Sequence, residues 1–245
     1  MSKTYTDLKF KLKSYPNVEY NMLEHSIFHQ FLSVATDEQL NFMEDFFNDE
    51  VLVLTNSSRS GSAKTYTAVV CAYAEYLNKG KEIIFIMSPA EENSVGYRPG
   101  NFDTKAMDYF SPLHDALLEL NINPMQVIKS IVEMDPHVDK EKLNDAFVTQ
   151  TLHTFLRGSN IQNSTVIISE SQNFTRKELK KTLTRMHDSC KVIVEGQPEQ
   201  SDIKVGQSGF VPYIELFKDQ DFARHHEFTK NFRGRIATVS DSLDC

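Results

Sequence analysis

The chain has 245 residues, and 26 Lys+Arg against 34 Asp+Glu leave a formal net charge of −8. An acidic chain lacks the broad basic field needed to coat DNA, although a local groove for nucleic acid remains compatible with it. At 40% hydrophobic and 24% charged, the composition is that of a folded chain, and the length suits one large domain or a domain plus a small extension.

The N-terminus, Met1 to Lys13, carries Lys3, Lys9, Lys11 and Lys13 but no apolar h-region, so it does not read as a secretory signal. Asn21–Ser33 has Met22, Leu23, Ile27, Phe28 and Phe31 at helical spacing. Thr36 then reads as an N-cap with Gln39 at N3, opening a helix that carries Leu40, Met43 and Phe47 on one face. Val51–Leu54 is too short for a helix and suits a strand buried on both faces. A small polar loop (Asn56–Ala63), a helix (Lys64–Asn78) and a turn at Asn78-Lys79-Gly80 lead to a second buried strand, Glu82–Met87.

Pro89–Ser111 contains Gly96, Pro99 and Gly100 with little periodicity and reads as a long functional loop or lid. Leu113–Leu120 and Pro124–Glu133 read as helical, and the polar stretch Asp135–Asp145 as a surface insertion. Thr165–Ile168 and Lys191–Val194 are two further apolar strands, with a helix over Thr175–Met186 between them. Strands alternating with helices predict an α/β fold with a mainly parallel central sheet flanked by helices. No run approaches the ~18 apolar residues of a membrane span. Cys71, Cys190 and Cys245 are odd in number and far apart, which fits neither a disulfide framework nor a zinc site and suits a reducing cytoplasm.

The junction after the first strand carries the most chemistry: Asn56-Ser57-Ser58-Arg59-Ser60-Gly61-Ser62-Ala63-Lys64-Thr65. A phosphate loop needs a strand, a turn of small residues and Lys-Ser/Thr opening a helix, so that backbone N–H groups cradle phosphate. The Lys reaches the outer phosphates and the Ser/Thr hydroxyl ligates Mg²⁺. Ser58 and Ala63 stand at the two glycine positions of that pattern, and a Cβ forced into the same geometry would cost roughly 1–3 kcal/mol at either. The junction therefore reads either as a nucleotide loop or as an ordinary serine-rich turn. Thr165–Ile168 runs into Ser169-Glu170-Ser171-Gln172-Asn173, where a carboxylate could orient an attacking water or simply be solvated. Lys191–Val194 runs into Glu195-Gly196-Gln197-Pro198-Glu199-Gln200-Ser201-Asp202, either a γ-phosphate sensor or a plain turn. Polar clusters after three parallel strands favour a site at the strands' carboxyl ends.

Thr175–Arg185 carries Arg176, Lys177, Lys180, Lys181 and Arg185 with Glu178, and the face shared by Arg176, Lys180 and Lys177 is either a contact for single-stranded nucleic acid or a solvated face. Tyr97, Phe102, Tyr109 and Phe110 either stack bases or pack on their own domain. The 8 histidines show no metal spacing, and no serine has a nucleophile-elbow context.

From about Thr36 to Asp241 the chain resembles the PhoH-like family of P-loop ATPases, and within it the PhoH-like proteins of large phages of Gram-positive bacteria. The resemblance rests on several blocks in order. Ser88-Pro89, Gly96-Tyr97-Arg98-Pro99-Gly100-Asn101 and Lys105 are similar to the family's loop after the second strand. Tyr109–Leu117 and Leu156-Arg157-Gly158-Ser159 follow. Glu170–Thr175 matches Asp-Glu-Ala-Gln-Asn-x-Thr in all but its first and third letters. Leu183-Thr184-Arg185, Gly196–Asp202, Ser208-Gly209-Phe210 and Phe232-Arg233 complete the set. The family has glycine at Ser58 and Ala63, Arg-Pro at Ser88-Pro89, Asp at Ser169 and usually Asp at Gln197, so both loop and metal motifs are degenerate.

The resemblance implies a P-loop NTPase domain over 36–245 behind an N-terminal helical extension, 1–35. It implies ATP bound by Ser58, Gly61, Ser62, Ala63, Lys64 and Thr65, with Gln39 near the adenine. Thr65 and Ser169 would meet Mg²⁺, weakened by the missing carboxylate. Glu170 would be the water-activating base, Gln172, Gln200 and Arg185 would line the γ-phosphate side, and Arg157 or Arg233 would act as an arginine finger across a subunit boundary. It further implies a cytoplasmic homo-oligomer, such as a hexameric ring, with ATPase and helicase-type work on RNA or single-stranded nucleic acid. The alternative is a catalytically impaired pseudo-ATPase used as an interaction or RNA-binding module.

Overall fold

Four apolar runs become the centre of a six-stranded, all-parallel sheet. The computed structural model describes residues 4–88, 109–133, 145–156, 158–204 and 206–240. Most of the expected lid, including Tyr97 and Phe102, most of the expected 135–145 insertion, and Arg157 lie outside the described residues. The strands are β1 (Val53–Asn56), β2 (Glu82–Met87), β3 (Val148–Leu152), β4 (Ser164–Ile168), β5 (Lys191–Glu195) and β6 (Ala223–His226), in the sheet order β3-β2-β4-β5-β1-β6. Helices α1 (Tyr5–Lys11), α2 (Pro16–Met22), α3 (His29–Val34) and α4 (Asp37–Phe47) precede β1. Helix α5 (Lys64–Lys79) links β1 to β2, and α6 (Ser111–Glu119) precedes β3. Helix α7 (Arg176–Leu183) links β4 to β5, α8 (Phe210–Phe217) precedes β6, and α9 (Arg235–Ser240) follows it.

Both faces of the sheet are covered, which is why the central strands read as unbroken apolar runs. Leu54, Ile83, Phe85, Ile167 and Ile193 pack into one core with α4, α5 and α6, and Leu8, Leu12, Val18, Met22, Phe28 and Leu32 of the N-terminal segment join that core. Val53, Ile86, Val166, Ile168, Val192 and Val194 face the other side against Leu179 of α7 and Phe210 and Tyr213 of α8. The period of two within β5, Val192 and Val194 against Ile193, divides one run between two cores.

Thr36 caps α4 with a full capping box through Gln39, as its spacing predicts. Asn21–Ser33 is not one helix. Asn78 at the end of α5 donates to Asn21 O (2.6 Å) and meets His25 Nε2 (3.2 Å), and His29 Nε2 lies 2.7 Å from Leu23 O. These side chains take carbonyls that a continuous helix would use itself, so the chain breaks after Met22 and restarts at His29. Phe110 is buried, edge-on to Phe85 at 6.4 Å, and so packs on its own domain, whereas Tyr109 is exposed. Among the described residues, no helix is long and apolar enough to cross a membrane.

At the amino end of β5, Lys191 is buried and its amine donates to the carbonyls of Asn48 (2.8 Å) and Val51. Burial pulls its pKa down from 10.5 to about 8, against the opposing pull of Glu75. Between those two values the unfolded chain holds more protons than the folded one, so this group makes stability rise with pH across that window. Urea unfolding from pH 7.5 to 10.5, compared between wild type and Lys191→Met, should show that rising component only in the wild type.

Candidate functional site

Asn56 ends β1, and eight residues later Lys64 opens α5, a helix of 16 residues with no side-chain cap at its start. The first amide groups of such a helix carry partial positive charge and seek an acceptor. Ala63, the residue before Lys64, adopts a left-handed conformation (φ 62°), as does Gly61 (φ 79°). A Cβ on Gly61 would lie 2.7 Å from Asn231 Oδ1, so a side chain there would be strained by its φ and would displace the Asn231 amide.

The segment after β6 braces the loop from outside. Phe228 N donates to Ser58 Oγ (2.6 Å), Phe232 N to Gly61 O (2.8 Å) and Asn231 Nδ2 to Ser60 O (3.2 Å). Arg233 donates to Ser60 Oγ at 2.8 Å, so this candidate finger lies on its own chain's loop. Gln197, after β5, accepts from Ser60 N at 2.5 Å.

The two non-glycine positions behave differently. Ser58 lacks a positive φ. Its buried hydroxyl donates to Asn56 Oδ1 and accepts from Phe228 N, so this Cβ carries a working group rather than strain. Only Ala63 pays for a left-handed backbone.

The carboxyl ends of β4 and β5 lie beside the loop. Register places Ile168 against Val194 and Asn56 against Glu195, so the residue after β4, Ser169, neighbours Glu195. Glu195 is fully buried; its Oε1 accepts from Thr65 Oγ1 (2.6 Å) and Ser169 Oγ (2.8 Å). Burial pushes its pKa above the ordinary value, Lys64 and the two hydroxyls hold it down, and Glu170 adds to the push. The sequence reading placed Glu195 at the head of a cluster read either as a γ-phosphate sensor or as a plain turn, and did not single it out. The available signal was a carboxylate ending one apolar strand while a serine ended the other.

Glu170 is left-handed (φ 51°) and accepts from Gln172 Nε2 at 2.5 Å. Gln172 is buried and its Oε1 accepts from Gln197 N (3.0 Å), while its Nε2 reaches Gln200 O at 3.4 Å. Asn173 and Asp202 exchange two hydrogen bonds of 2.8 Å. The structure thus brings together Ser58, Gly61, Ser62, Ala63, Lys64, Thr65, Ser169, Glu170, Gln172, Arg233 and, by its backbone, Gln200.

Two expected residues are placed otherwise. Gln39 is buried, with Oε1 on Thr36 N (3.0 Å) and Nε2 on Thr67 Oγ1 (3.0 Å), so its amide serves α4 and α5 rather than an open face. Arg185 lies at the amino end of β4. Its carbonyl accepts from Ile161 N (2.9 Å) and its guanidinium reaches Ser159 O (3.3 Å), because α7 has carried the chain back across the sheet. Arg185 therefore does not line the loop of its own chain.

The arrangement offers an open helix N-terminus, an amine at Lys64 and a carboxylate opposite Thr65, which suits an anion accompanied by a divalent cation. Chemical denaturation should separate the two loop positions. Ala63→Gly relieves strain and should stabilise by about 0.5–1 kcal/mol, whereas Ser58→Gly orphans the Phe228 amide and should destabilise by about 1–3 kcal/mol.

A family model described as PhoH-like protein matches residues 32–242. A PhoH-like protein of Mycobacterium tuberculosis is 27% identical over 188 residues, covering 76% of this chain and 50% of its own. Protein PhoH of Escherichia coli is 25% identical over 211 residues (84% and 56%), and protein PhoH2 of Bacillus subtilis is 25% identical over 213 residues (84% and 46%). The chain spans about half the length of these curated relatives. An unliganded Pif1 structure from Bacteroides sp. aligns with a TM-score of 0.36 at 15% identity, covering 84% of this chain and 44% of that one. With the family model matched over most of its length, on the strand–loop–helix and carboxyl-end geometry described above, the chain belongs to the PhoH-like protein family.

Proposed function

We propose that this chain binds ATP at the loop between β1 and α5, hydrolyses it, and couples the reaction to RNA or single-stranded nucleic acid as a homo-oligomer. One observation carries the reading: the uncapped start of α5, with Lys64 and Thr65, faces the carboxyl ends of β4 and β5. The amides of that helix end and the Lys64 amine offset phosphate charge as it develops in the transition state. Glu170 takes the proton of the attacking water, held in place by Gln172. The Thr65 hydroxyl and the uncommitted side of the Glu195 carboxylate fit a magnesium ion, which supplies charge neutralisation across the phosphates when bound.

Arg176, Lys177, Lys180 and Lys181 are exposed on α7, which begins three residues after Asn173 of the site. That position favours contact with a phosphate backbone close to the reacting end of the sheet. A second reading, a pseudo-ATPase, is favoured by the strain at Ala63 and by a serine at position 169.

The test is phosphate release from Mg-ATP, with and without single-stranded RNA, beside Lys64→Ala. Wild type should turn over, and the variant should lose about 100-fold or more. Stimulation by RNA supports the coupling. Equal rates in wild type and variant would leave the pseudo-ATPase reading.

A further inference from the structure

The unusual group at this site is Glu195. It is 0% exposed, and its Oε2 has no hydrogen-bond partner among the described residues. A buried carboxylate oxygen left bare is costly. The other oxygen is held by two hydroxyls from opposite sides, Thr65 on the phosphate-loop helix and Ser169 on the neighbouring strand. Ser169 is itself buried and occupies the position where the motif resemblance leads one to expect an aspartate.

We infer that Glu195 supplies the carboxylate for the divalent cation of a bound nucleotide, so that this function has moved from the end of β4 to the end of β5. The inference rests on the nucleotide-binding reading and deepens it. Parallel pairing makes the move feasible: Ile168 pairs with Val194, so the next residues on each strand, Ser169 and Glu195, are neighbours in space. A glutamate is one methylene longer than an aspartate, and from β5, which lies directly beside β1, it reaches Thr65. Ser169 has then become a donor that orients Glu195 rather than a ligand in its own right. No group of three or more His, Cys, Asp or Glu that could hold a metal by itself occurs among the described residues. Thr65 and Glu195 offer few oxygens, so phosphate oxygens and water would complete the shell, the usual arrangement for magnesium.

The experiment is titration of the full chain with ATP in Mg²⁺ and in EDTA, together with Mn²⁺ binding followed by electron paramagnetic resonance. Wild type should bind ATP at least tenfold more tightly with Mg²⁺ and hold Mn²⁺ tightly only when ATP is present. Glu195→Gln, of nearly the same shape, should keep the EDTA affinity and lose both the Mg²⁺ enhancement and the Mn²⁺ signal. The double variant Glu195→Ser/Ser169→Asp should regain them, which a folding defect at position 195 would not allow. A Glu195→Gln protein that keeps the Mg²⁺ enhancement overturns the inference and leaves ATP binding intact. A wild type that binds no ATP in either buffer overturns both.

Discussion

A helix that starts without a side-chain cap leaves several amides to be satisfied by something else. Helix α5 is such a helix, and much of the surrounding structure is organised so that the loop before it holds its shape. The bracing comes from far along the chain: Phe228, Asn231, Phe232 and Arg233 bond Ser58, Ser60 and Gly61, and Gln197 holds the Ser60 amide. These contacts fix the outside of the loop and leave the start of α5 facing β4 and β5. A loop shaped by outside contacts depends less on glycine, and Ser58 shows how: its hydroxyl is itself one of the braces.

The same economy appears in the charges. The site holds one lysine near a buried glutamate, and that glutamate is anchored through two hydroxyls. Desolvation and Lys64 act on Glu195 in opposite senses, so its charge state is tied to whatever occupies the loop. Gln172 knits the ends of β4 and β5 together by contacting Glu170, Gln197 and Gln200 at once, so a shift in one cluster is felt in the other.

The central strands were legible because they are buried on both faces and so spell continuous apolar runs. The edge strands were not. In β3, Thr149, Gln150 and Thr151 are only partly buried, and in β6 Arg224 and His225 are exposed while His226 packs against Phe42 and Asp45 of α4, so neither carries an apolar signature. The candidate site was legible where it is local: Lys64, Thr65, Glu170 and Gln172 sit in one or two contiguous segments. Glu195 was not, because its role depends on the register between β4 and β5, which no single segment encodes. Arg185 was misplaced because its position depends on where α7 ends: at Leu183, after a return across the sheet. Gln39 was recognised as the N3 partner of Thr36, and that bond, with Thr67, is what occupies its amide.

The central claim is that the loop is a phosphate site served by a carboxylate from β5. The most direct measurement is a crystal structure with Mn²⁺ and a non-hydrolysable ATP analogue, locating the metal by its anomalous signal. The account predicts phosphates at the start of α5 and a metal peak between Thr65 and Glu195. A nucleotide bound elsewhere, or a metal peak remote from Glu195 with the nucleotide in the loop, would contradict it.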